Sequence, residues 1–137
     1  MINEFRGDYY FLSNFFEADV YFGGIVYCNN EAAFQAQKSL YNVDRMRFAT
    51  LNPSEAKRLG RRIALRDDWE YVKTDIMYEI CKAKFSQNPE LKAKLIATGD
   101  KHLEEGNTWG DKIWGTVDGV GENRLGKILM KVRDELR

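Results

Sequence analysis

The sequence is poor in residues that bind metals or form redox pairs. Its 137 residues include one histidine, His102, and two cysteines, Cys28 and Cys81, which lie far apart in the chain. These residues cannot form a CxxC pair, an HExxH motif or a histidine cluster, so we expect neither zinc nor dithiol chemistry, and no cofactor. If the protein is an enzyme, we therefore expect its proton transfers to depend on carboxylates and amines.

The sequence also lacks an excess of either charge and lacks long apolar runs. Lys and Arg number 21, as do Asp and Glu, so the net charge is zero and no global field attracts nucleic acid or anionic lipid, although a local patch still can. No apolar run approaches the roughly 20 residues that span a bilayer, and no signal peptide is visible. We expect a cytoplasmic protein with no membrane association and no obligate protein partner.

Nothing in the sequence divides it into separate domains. It has only two prolines and contains no repeat, low-complexity tract or Gly/Ser linker. We therefore predict one continuous domain over residues 1–137, a length that buries a core without disulfides. Gly23-Gly24 lies between the apolar segments Val20-Tyr21-Phe22 and Ile25-Val26-Tyr27, and this pattern predicts a β-hairpin.

Helix signals dominate the sequence after the hairpin. Each of five predicted helices begins at an N-cap residue, and in two of them proline follows the cap. The predicted helices run from Asn30 to about Asn42, from Asn52 to Gly60, from Asp67 or Asp68 to about Gln87, from Asn88 to Gly99, and from about Asn123 onward. The predicted fold class is α+β, a mostly helical single domain with a small antiparallel sheet near the N-terminus.

The long third helix carries two apolar stripes at helical spacing. The core stripe comprises Trp69, Val72, Ile76, Ile80 and Ala83. The second stripe, on roughly the opposite side, comprises Tyr71, Tyr78 and Phe85. A helix that is apolar on two sides is expected to be sandwiched between other elements.

The first predicted helix carries candidate catalytic groups. At 100° per residue, Glu31, Gln35 and Lys38 fall within about 60° of one another, while Ala33, Ala36 and Leu40 face the core. The simplest interpretation is a solvated face with a weak ion pair. Two features favour a functional site: Glu31 lies in the first turn, where the helix dipole stabilises a carboxylate, and the helix follows a predicted strand.

Two further segments have the residue types that bind phosphates or bases. Arg61 and Arg62 precede Trp69; arginine binds phosphate and tryptophan stacks on bases, although Trp69 also fits the core stripe. Residues 109–126 contain two Trp-Gly pairs and alternating glycines before a helix, which predicts a phosphate cradle at Gly121 and Arg124. The alternative is that this segment is a glycine-rich connecting loop whose tryptophans only fill space in the core. Its glycines do not fit GxGxxG, so a Rossmann motif is excluded.

Short motifs along the whole chain resemble the NADAR (YbiA-like) family. They are Phe11-Leu12-Ser13-Asn14-Phe15, Asn30-Glu31 with Gln35-Ala36-x-Lys38, Gly60-Arg61, Asp68-Trp69, Lys84-Phe85, Thr98-Gly99, Trp114-Gly115 and Asn123-x-Leu125-Gly126-x-x-Leu129-Met130. Their order and their co-occurrence make the resemblance specific. The chain departs from the family at Ala32, where members often have histidine, and at Thr116-Val117, where a further glycine is common.

The resemblance implies a YbiA-like fold and an N-glycosidase that hydrolyses the C1′–N bond of a ribosylated base. Family members cleave ribosylamino-pyrimidine phosphates of riboflavin biosynthesis, or remove ADP-ribose from guanine bases. The expected partner is therefore a nucleotide-like small molecule or an ADP-ribosylated nucleic acid. The alternative is a module that binds NAD or ADP-ribose without turnover.

For this chemistry we predict Glu31, Lys38 and Asp111 as catalytic residues. Glu31 is expected to be the general acid/base, with Asp111 or else Asp68 as the second carboxylate. Lys38 can attack C1′ of an open ribose and form a Schiff base. The predicted substrate-binding residues are Asn14, Phe15, Gln35, Arg61, Arg62, Trp69, Trp114, Gly115, Gly121, Asn123 and Arg124. No metal ligand is predicted.

Overall fold

The computed structural model describes residues 1–137, which form two β-strands and six α-helices. The strands are β1 (Glu17–Phe22) and β2 (Ile25–Asn29), and the helices are α1 (Asn30–Ala36), α2 (Asn42–Arg45), α3 (Pro53–Gly60), α4 (Trp69–Gln87), α5 (Pro89–Ala97) and α6 (Arg124–Leu136). Two short 3-10 helices span Gly7–Leu12 and Met46–Phe48. The predicted fold class, mostly helical with a small antiparallel sheet near the N-terminus, is confirmed.

The chain forms two compact units. The central unit is Asn14–Asn88, and the terminal unit combines Met1–Ser13 with Pro89–Arg137. None of the helices in either unit has the length and apolar character needed to cross a membrane.

The predicted hairpin opens the central unit. Val20 pairs with Tyr27 and Phe22 with Ile25 in an antiparallel register. Gly23 and Gly24 form the turn with φ angles of 59° and 88°, a left-handed conformation that glycine adopts without a steric penalty. Val20 and Tyr27 are fully buried, so the hairpin contributes one face to the core of this unit.

Helix α1 lies at the centre of this unit, between the hairpin, α3 and α4. All seven of its residues are buried. The side chain of Asn29 accepts a hydrogen bond from the Ala32 amide at 2.7 Å, so Asn29 is the N-cap and the predicted cap at Asn30 is wrong by one residue. The burial of α1 means that any polar group on it must find its partners inside the protein.

Helix α1 also ends earlier than predicted, at Ala36 rather than near Asn42. The predicted inward packing of Leu40 is therefore wrong, and this side chain is 59% exposed. The Lys38 carbonyl accepts a hydrogen bond from the Arg66 amide, and the Ser39 carbonyl accepts one from Arg45 Nε. The Ser39 hydroxyl donates to Asp44 at 2.6 Å. Because these partners satisfy the groups that follow Ala36, the chain leaves the helix there.

Helices α3 and α4 follow the predicted boundaries closely. The capping box of α3 is complete: Asn52 Oδ1 accepts from the Glu55 amide, and Glu55 Oε1 accepts from the Asn52 amide. The predicted sandwiching of α4 is wrong at its start, because Tyr71 is 89% exposed. The buried residues of α4 are Trp69, Met77, Ile80, Cys81, Lys84 and Phe85.

In the terminal unit, α5 packs on α6, and the start of the chain forms an isolated parallel bridge between Ile2 and Leu103. The apolar face of α6 is buried through Leu125, Ile128, Leu129 and Val132, whereas Leu136 at its end is partly exposed. Arg133, on the same helix, is buried and donates to Thr98 Oγ1 and to the Lys101 carbonyl. These bonds secure the segment that follows α5.

Candidate active site

Glu31 is a buried carboxylate in the first turn of α1. Its side chain is 7% exposed, and Oε1 accepts a hydrogen bond from Gln35 Nε2 at 3.1 Å. Its backbone amide donates to the Asn14 carbonyl at 3.1 Å. A carboxylate that is buried and hydrogen-bonded in this way is not part of a solvated face.

Gln35 is held beneath Glu31 by a close approach between α1 and α3. A Cβ atom at Gly60 would overlap Oε1 of Gln35 and would lie 2.9 Å from its Cδ. Gly60 therefore provides the space that the carboxamide occupies. The sequence analysis assigned Gln35 to substrate binding, and the structure shows that its amide nitrogen bonds to Glu31.

Lys38 lies in the turn after α1 and is half-buried. Partial burial lowers the pKa of its ammonium group, and the positive charges of Arg61, Lys57 and Lys73 lower this pKa further, whereas Glu31 opposes the decrease. The Lys38 and Glu31 side chains thus interact electrostatically, as their spacing predicts. A lysine with a lowered pKa carries more neutral amine near neutral pH, which is the form that attacks carbonyl carbon.

Cationic side chains from α3 surround this pair. Lys57 Nζ lies 5.5 Å from the centroid of the Phe15 ring, and both Lys57 and Arg61 act on the charge of Lys38. Arg62 is exposed at the end of the same segment. The central unit therefore brings together six predicted site residues, Asn14, Phe15, Glu31, Gln35, Lys38 and Arg61.

Asn14 and Asn30 form a buried amide network behind Glu31. Asn30 Nδ2 donates to Asn14 Oδ1 at 3.2 Å and approaches Cys81 Sγ at 3.7 Å. Asn14 Nδ2 donates in turn to Met77 Sδ at 3.5 Å. The Asn14 side chain, predicted to bind substrate, thus has partners inside the protein, and Asn14 contributes its carbonyl to the position of Glu31.

Two other predicted groups of this unit have structural partners. The Trp69 ring is 5% exposed and packs against Phe34 with 5.0 Å between ring centroids, so the core stripe explains it better than base stacking does. Asp68 forms an ion pair with Arg66 at 2.6 Å, which holds the pKa of Asp68 below its usual value. Asp68 is therefore a poor choice for a carboxyl that stays protonated.

In the terminal unit, Asp111 organises the loop that carries Trp114. Asp111 Oδ1 accepts hydrogen bonds from the Ile113 and Trp114 amides at 3.0 and 2.9 Å. Gly115 is buried, and a Cβ atom there would overlap the Glu105 carbonyl. These contacts account for Asp111 and Gly115 as loop-forming residues, and a role of Asp111 as second carboxylate stays a prediction.

Four backbone amides at the start of α6 already have hydrogen-bond partners in the loop. The amides of residues 122–125 donate to the carbonyls of Lys112, Gly115, Ile113 and Trp114. Asn123 adopts a left-handed conformation with φ of 51°, and its side chain bonds to the Glu105 amide and the Leu103 carbonyl. Gly121 accommodates the close Gly115 carbonyl, and Arg124 pairs with Glu122 at 3.0 Å. The phosphate contact at Gly121 and Arg124 stays a prediction.

Three lysines were not predicted as site residues, although Lys84 belongs to one of the family motifs. Lys57 and Lys73 act on Lys38, and Lys84 is 1% exposed beside the Phe16 and Phe85 rings. The signal for Lys57 was present in the sequence, since it lies four residues before Arg61 on a predicted helix. No three His, Cys, Asp or Glu side chains come together in a group that could hold a metal ion.

Known proteins resemble this chain along nearly its whole length. Residues 3–137 match the model of the NADAR domain. The chain is 39% identical over 133 residues to the N-glycosidase YbiA of Escherichia coli strain K12, covering 94% of this chain and 82% of that protein. It is 37% identical over 132 residues to the N-glycosidase Npun_R5314 of Nostoc punctiforme, and the match covers 91% of this chain and 84% of that protein.

Two further similarities concern a longer protein and a solved structure. The riboflavin biosynthesis protein VVA0006 of Vibrio vulnificus is 37% identical over 133 residues, which cover 93% of this chain and 35% of that protein. The NMR structure of the Escherichia coli protein YbiA matches with a TM-score of 0.84 and 37% identity, covering 99% of this chain and 86% of that one. The chain therefore belongs to the NADAR domain family.

Proposed function

We propose that this chain is an N-glycosidase that hydrolyses the C1′–N bond between a ribose and a base. The observation that carries the proposal is the buried Glu31 carboxylate, bonded to Gln35 and interacting electrostatically with the half-buried Lys38. The names of two relatives, N-glycosidases at 37% and 39% identity, support this class of reaction.

Glu31 is the proposed general acid/base. Cleavage of the C1′–N bond leaves electron density on the base nitrogen, and a proton from Glu31 neutralises it. The resulting carboxylate then takes a proton from the water whose oxygen bonds to C1′. One water is consumed in this cycle, the base leaves with one proton, and Glu31 regains its proton.

Lys38 offers a covalent route to the same products. Its neutral amine attacks C1′ of the open-chain ribosylamine, the C1′–N bond to the base breaks, and the base takes up a proton. The Schiff base between Nζ and C1′ is then hydrolysed by water, which releases ribose and restores the amine. Partial burial and the surrounding cations favour the neutral amine, and the protons that Nζ loses in forming the Schiff base pass to the departing base nitrogen.

The substrate contacts that we propose follow the residues around this pair. Phe15 offers a partly exposed ring for the base, and Arg61 and Arg62 offer guanidinium groups for phosphate. Trp114, Arg124 and Asp111 lie in the terminal unit, and their roles stay predictions from the sequence. The substrate is either an ADP-ribosylated guanine, free or in nucleic acid, or a ribosylamino-pyrimidine phosphate.

A product assay tests the proposal and chooses between the two substrates. The purified chain is incubated with ribosylamino-pyrimidine phosphate and, separately, with ADP-ribosyl-guanosine. We expect release of the free base and of the corresponding ribose product from one of them. Binding of ADP-ribose without release of a base from either compound would instead identify a binding module.

A further inference from the structure

Helix α3 carries an unusual concentration of positive charge for a chain with none overall. Four of the six residues 57–62 are Lys or Arg, and they form two like-charge pairs at i and i+4, Lys57 with Arg61 and Arg58 with Arg62. The acidic residue in the first turn, Glu55, is committed to the capping box. Because α3 ends at Gly60 and Arg61 is its C-cap, Arg61 and Arg62 follow the last turn, and the four cations lie together at the C-terminal end of the helix.

The first of these pairs faces the Glu31 site. Lys57 Nζ lies 5.5 Å from the centroid of the Phe15 ring. Phe15 follows Asn14, and the Asn14 carbonyl accepts a hydrogen bond from the Glu31 amide. Lys57 and Arg61 both lower the pKa of Lys38 by charge repulsion, whereas Arg58 and Arg62 have no such effect. Gly60, the residue before Arg61, packs directly on the Gln35 side chain, so the chain enters Arg61 beside the partner of Glu31.

The charges of this cluster do not balance. Lys38, Lys57 and Arg61 contribute three positive charges, against the single carboxylate of Glu31. Lys73, the fourth cation near Lys38, is compensated by its ion pair with Glu70 at 2.6 Å. Neither Lys57 nor Arg61 forms an ion pair. The cluster therefore has an excess of positive charge at the edge of a buried acid.

We propose that Lys57 and Arg61, with the Phe15 ring beneath Lys57, form a subsite for a phosphate group attached to the ribose of the substrate. This inference rests on the proposed function and adds Lys57 as a specificity-determining residue. The arginine fork binds two phosphate oxygens and the lysine adds a point charge. A bound phosphate would offset the repulsion within the cluster and hold C1′ near Glu31 and Lys38.

The test is the equilibrium binding of ribose 5-phosphate and of ADP-ribose to the full chain, measured by titration calorimetry. Lys57→Gln should weaken binding by about 10- to 100-fold, as expected for a lost hydrogen bond to a charged group. Arg58→Gln is the matched control, because it removes the same charge from the same helix, and it should change affinity less than about twofold. If Lys57→Gln loses affinity for ribose 5-phosphate alone, the subsite binds a phosphate monoester. If it loses affinity for ADP-ribose alone, the subsite binds a diphosphate.

Equal weakening by Lys57→Gln and Arg58→Gln, or no weakening by Lys57→Gln, would overturn the subsite. If circular dichroism shows that Lys57→Gln does not fold, the affinities of Arg61→Gln and Arg58→Gln are compared instead, and the same outcomes support or overturn the subsite. The assay needs no turnover, so it separates two failures. If binding depends on Lys57 but the protein cleaves neither substrate, the proposed glycosidase activity is refuted. If the protein cleaves a substrate but Lys57→Gln does not weaken phosphate binding, the proposed subsite is refuted.

Discussion

The carboxamide of Gln35 occupies the volume that a side chain at Gly60 would fill. Helix α3 can approach α1 this closely only because Gly60 has no Cβ, and the carboxamide in this space donates to Glu31 at 3.1 Å. The position of the proposed acid therefore depends on a residue of another helix that touches neither the acid nor a ligand. Gly60 belongs to the site through its lack of a side chain.

We predict that Gly60→Ala lowers kcat by about 100-fold, because a shift of about 1 Å in a catalytic group has an effect of this size. The added methyl group must displace Gln35 and so remove the hydrogen bond to Glu31. Overpacking should also cost about 1–3 kcal/mol in the free energy of unfolding. In a Gln35→Ala background, Gly60→Ala should have little further effect on kcat, and an additive loss would show that Gly60 acts by another path.

Glu31→Gln should lower turnover by about 10²- to 10⁴-fold, the usual contribution of a general acid/base. The substitution keeps size and hydrogen bonding, so the affinity for substrate should be nearly unchanged. Base release and ligand binding are measured on the same preparation. Glu79→Gln, which removes an exposed carboxylate from α4, is the control and should be fully active. Near-normal turnover by Glu31→Gln would refute the site.

Borohydride should trap a sugar on Lys38 if the covalent route operates, because reduction converts the Schiff base to a stable amine. Mass spectrometry of the treated protein locates the adduct. Lys38→Ala should be inactive and should yield no adduct, whereas Lys82→Ala, a control on α4, should still be labelled. If Lys38→Ala is inactive but the parent protein gives no adduct, Lys38 has an electrostatic role only.

The pH dependence of the rate should report the charges around Lys38. The neutral amine is the nucleophile, so the rate should increase as pH rises through the Lys38 pKa, which lies below the usual lysine value. Arg61→Gln removes a repelling charge and raises this pKa, so the increase should move to higher pH. Arg58→Gln should leave the profile in place. An unshifted profile in Arg61→Gln would mean that the rate does not depend on the Lys38 amine.

Stability should increase with pH because of Lys84. Burial lowers the pKa of this lysine to about 8, from an ordinary value of 10.5. Between these values the unfolded chain holds a proton that the folded chain has released, so the free energy of unfolding rises, by about 1.4 kcal/mol for each pKa unit. Below about pH 8 both states are protonated and the dependence from this group disappears.

Urea unfolding of Lys84→Met at about pH 8 and pH 10 checks this expectation. The substitution should flatten the rise in the free energy of unfolding across the interval. Lys127→Met removes an exposed lysine of α6 and should keep the rise of the parent protein. A parent protein and a Lys84→Met variant with the same slope would show that Lys84 keeps its proton when folded.

Local signals in the sequence were enough for much of the fold. The Gly23-Gly24 turn and the Asn52-Pro53-Ser54-Glu55 box depend on residues next to one another, and both are confirmed. The fold class and the N-glycosidase class of the resemblance are also confirmed. These features need no knowledge of which distant segments meet.

The features that could not be predicted depend on distant segments. Helix α1 ends at Ala36 because the Lys38 carbonyl is taken by the amide of Arg66, 28 residues further on. The amides of residues 122–125 are bonded to carbonyls of the loop, so these four are not available to the predicted cradle. A lysine is usually exposed, so the sequence gives no sign that Lys84 is buried. Its burial follows from its packing against Phe16 and Phe85. The assignment of individual site residues stays a prediction.

The end of α4 has a consequence for the behaviour of the protein at high concentration. A hairpin of two strands leaves the outer edge of β1 open to pairing with another molecule, which is a common start of aggregation. Here Gln87 bonds to both the amide and the carbonyl of Tyr21 at 2.8 Å, and Asn88 donates to the Asp19 carbonyl at 3.2 Å. Two side-chain amides thus take the place of a third strand, and the edge offers no template for intermolecular sheet growth at these residues.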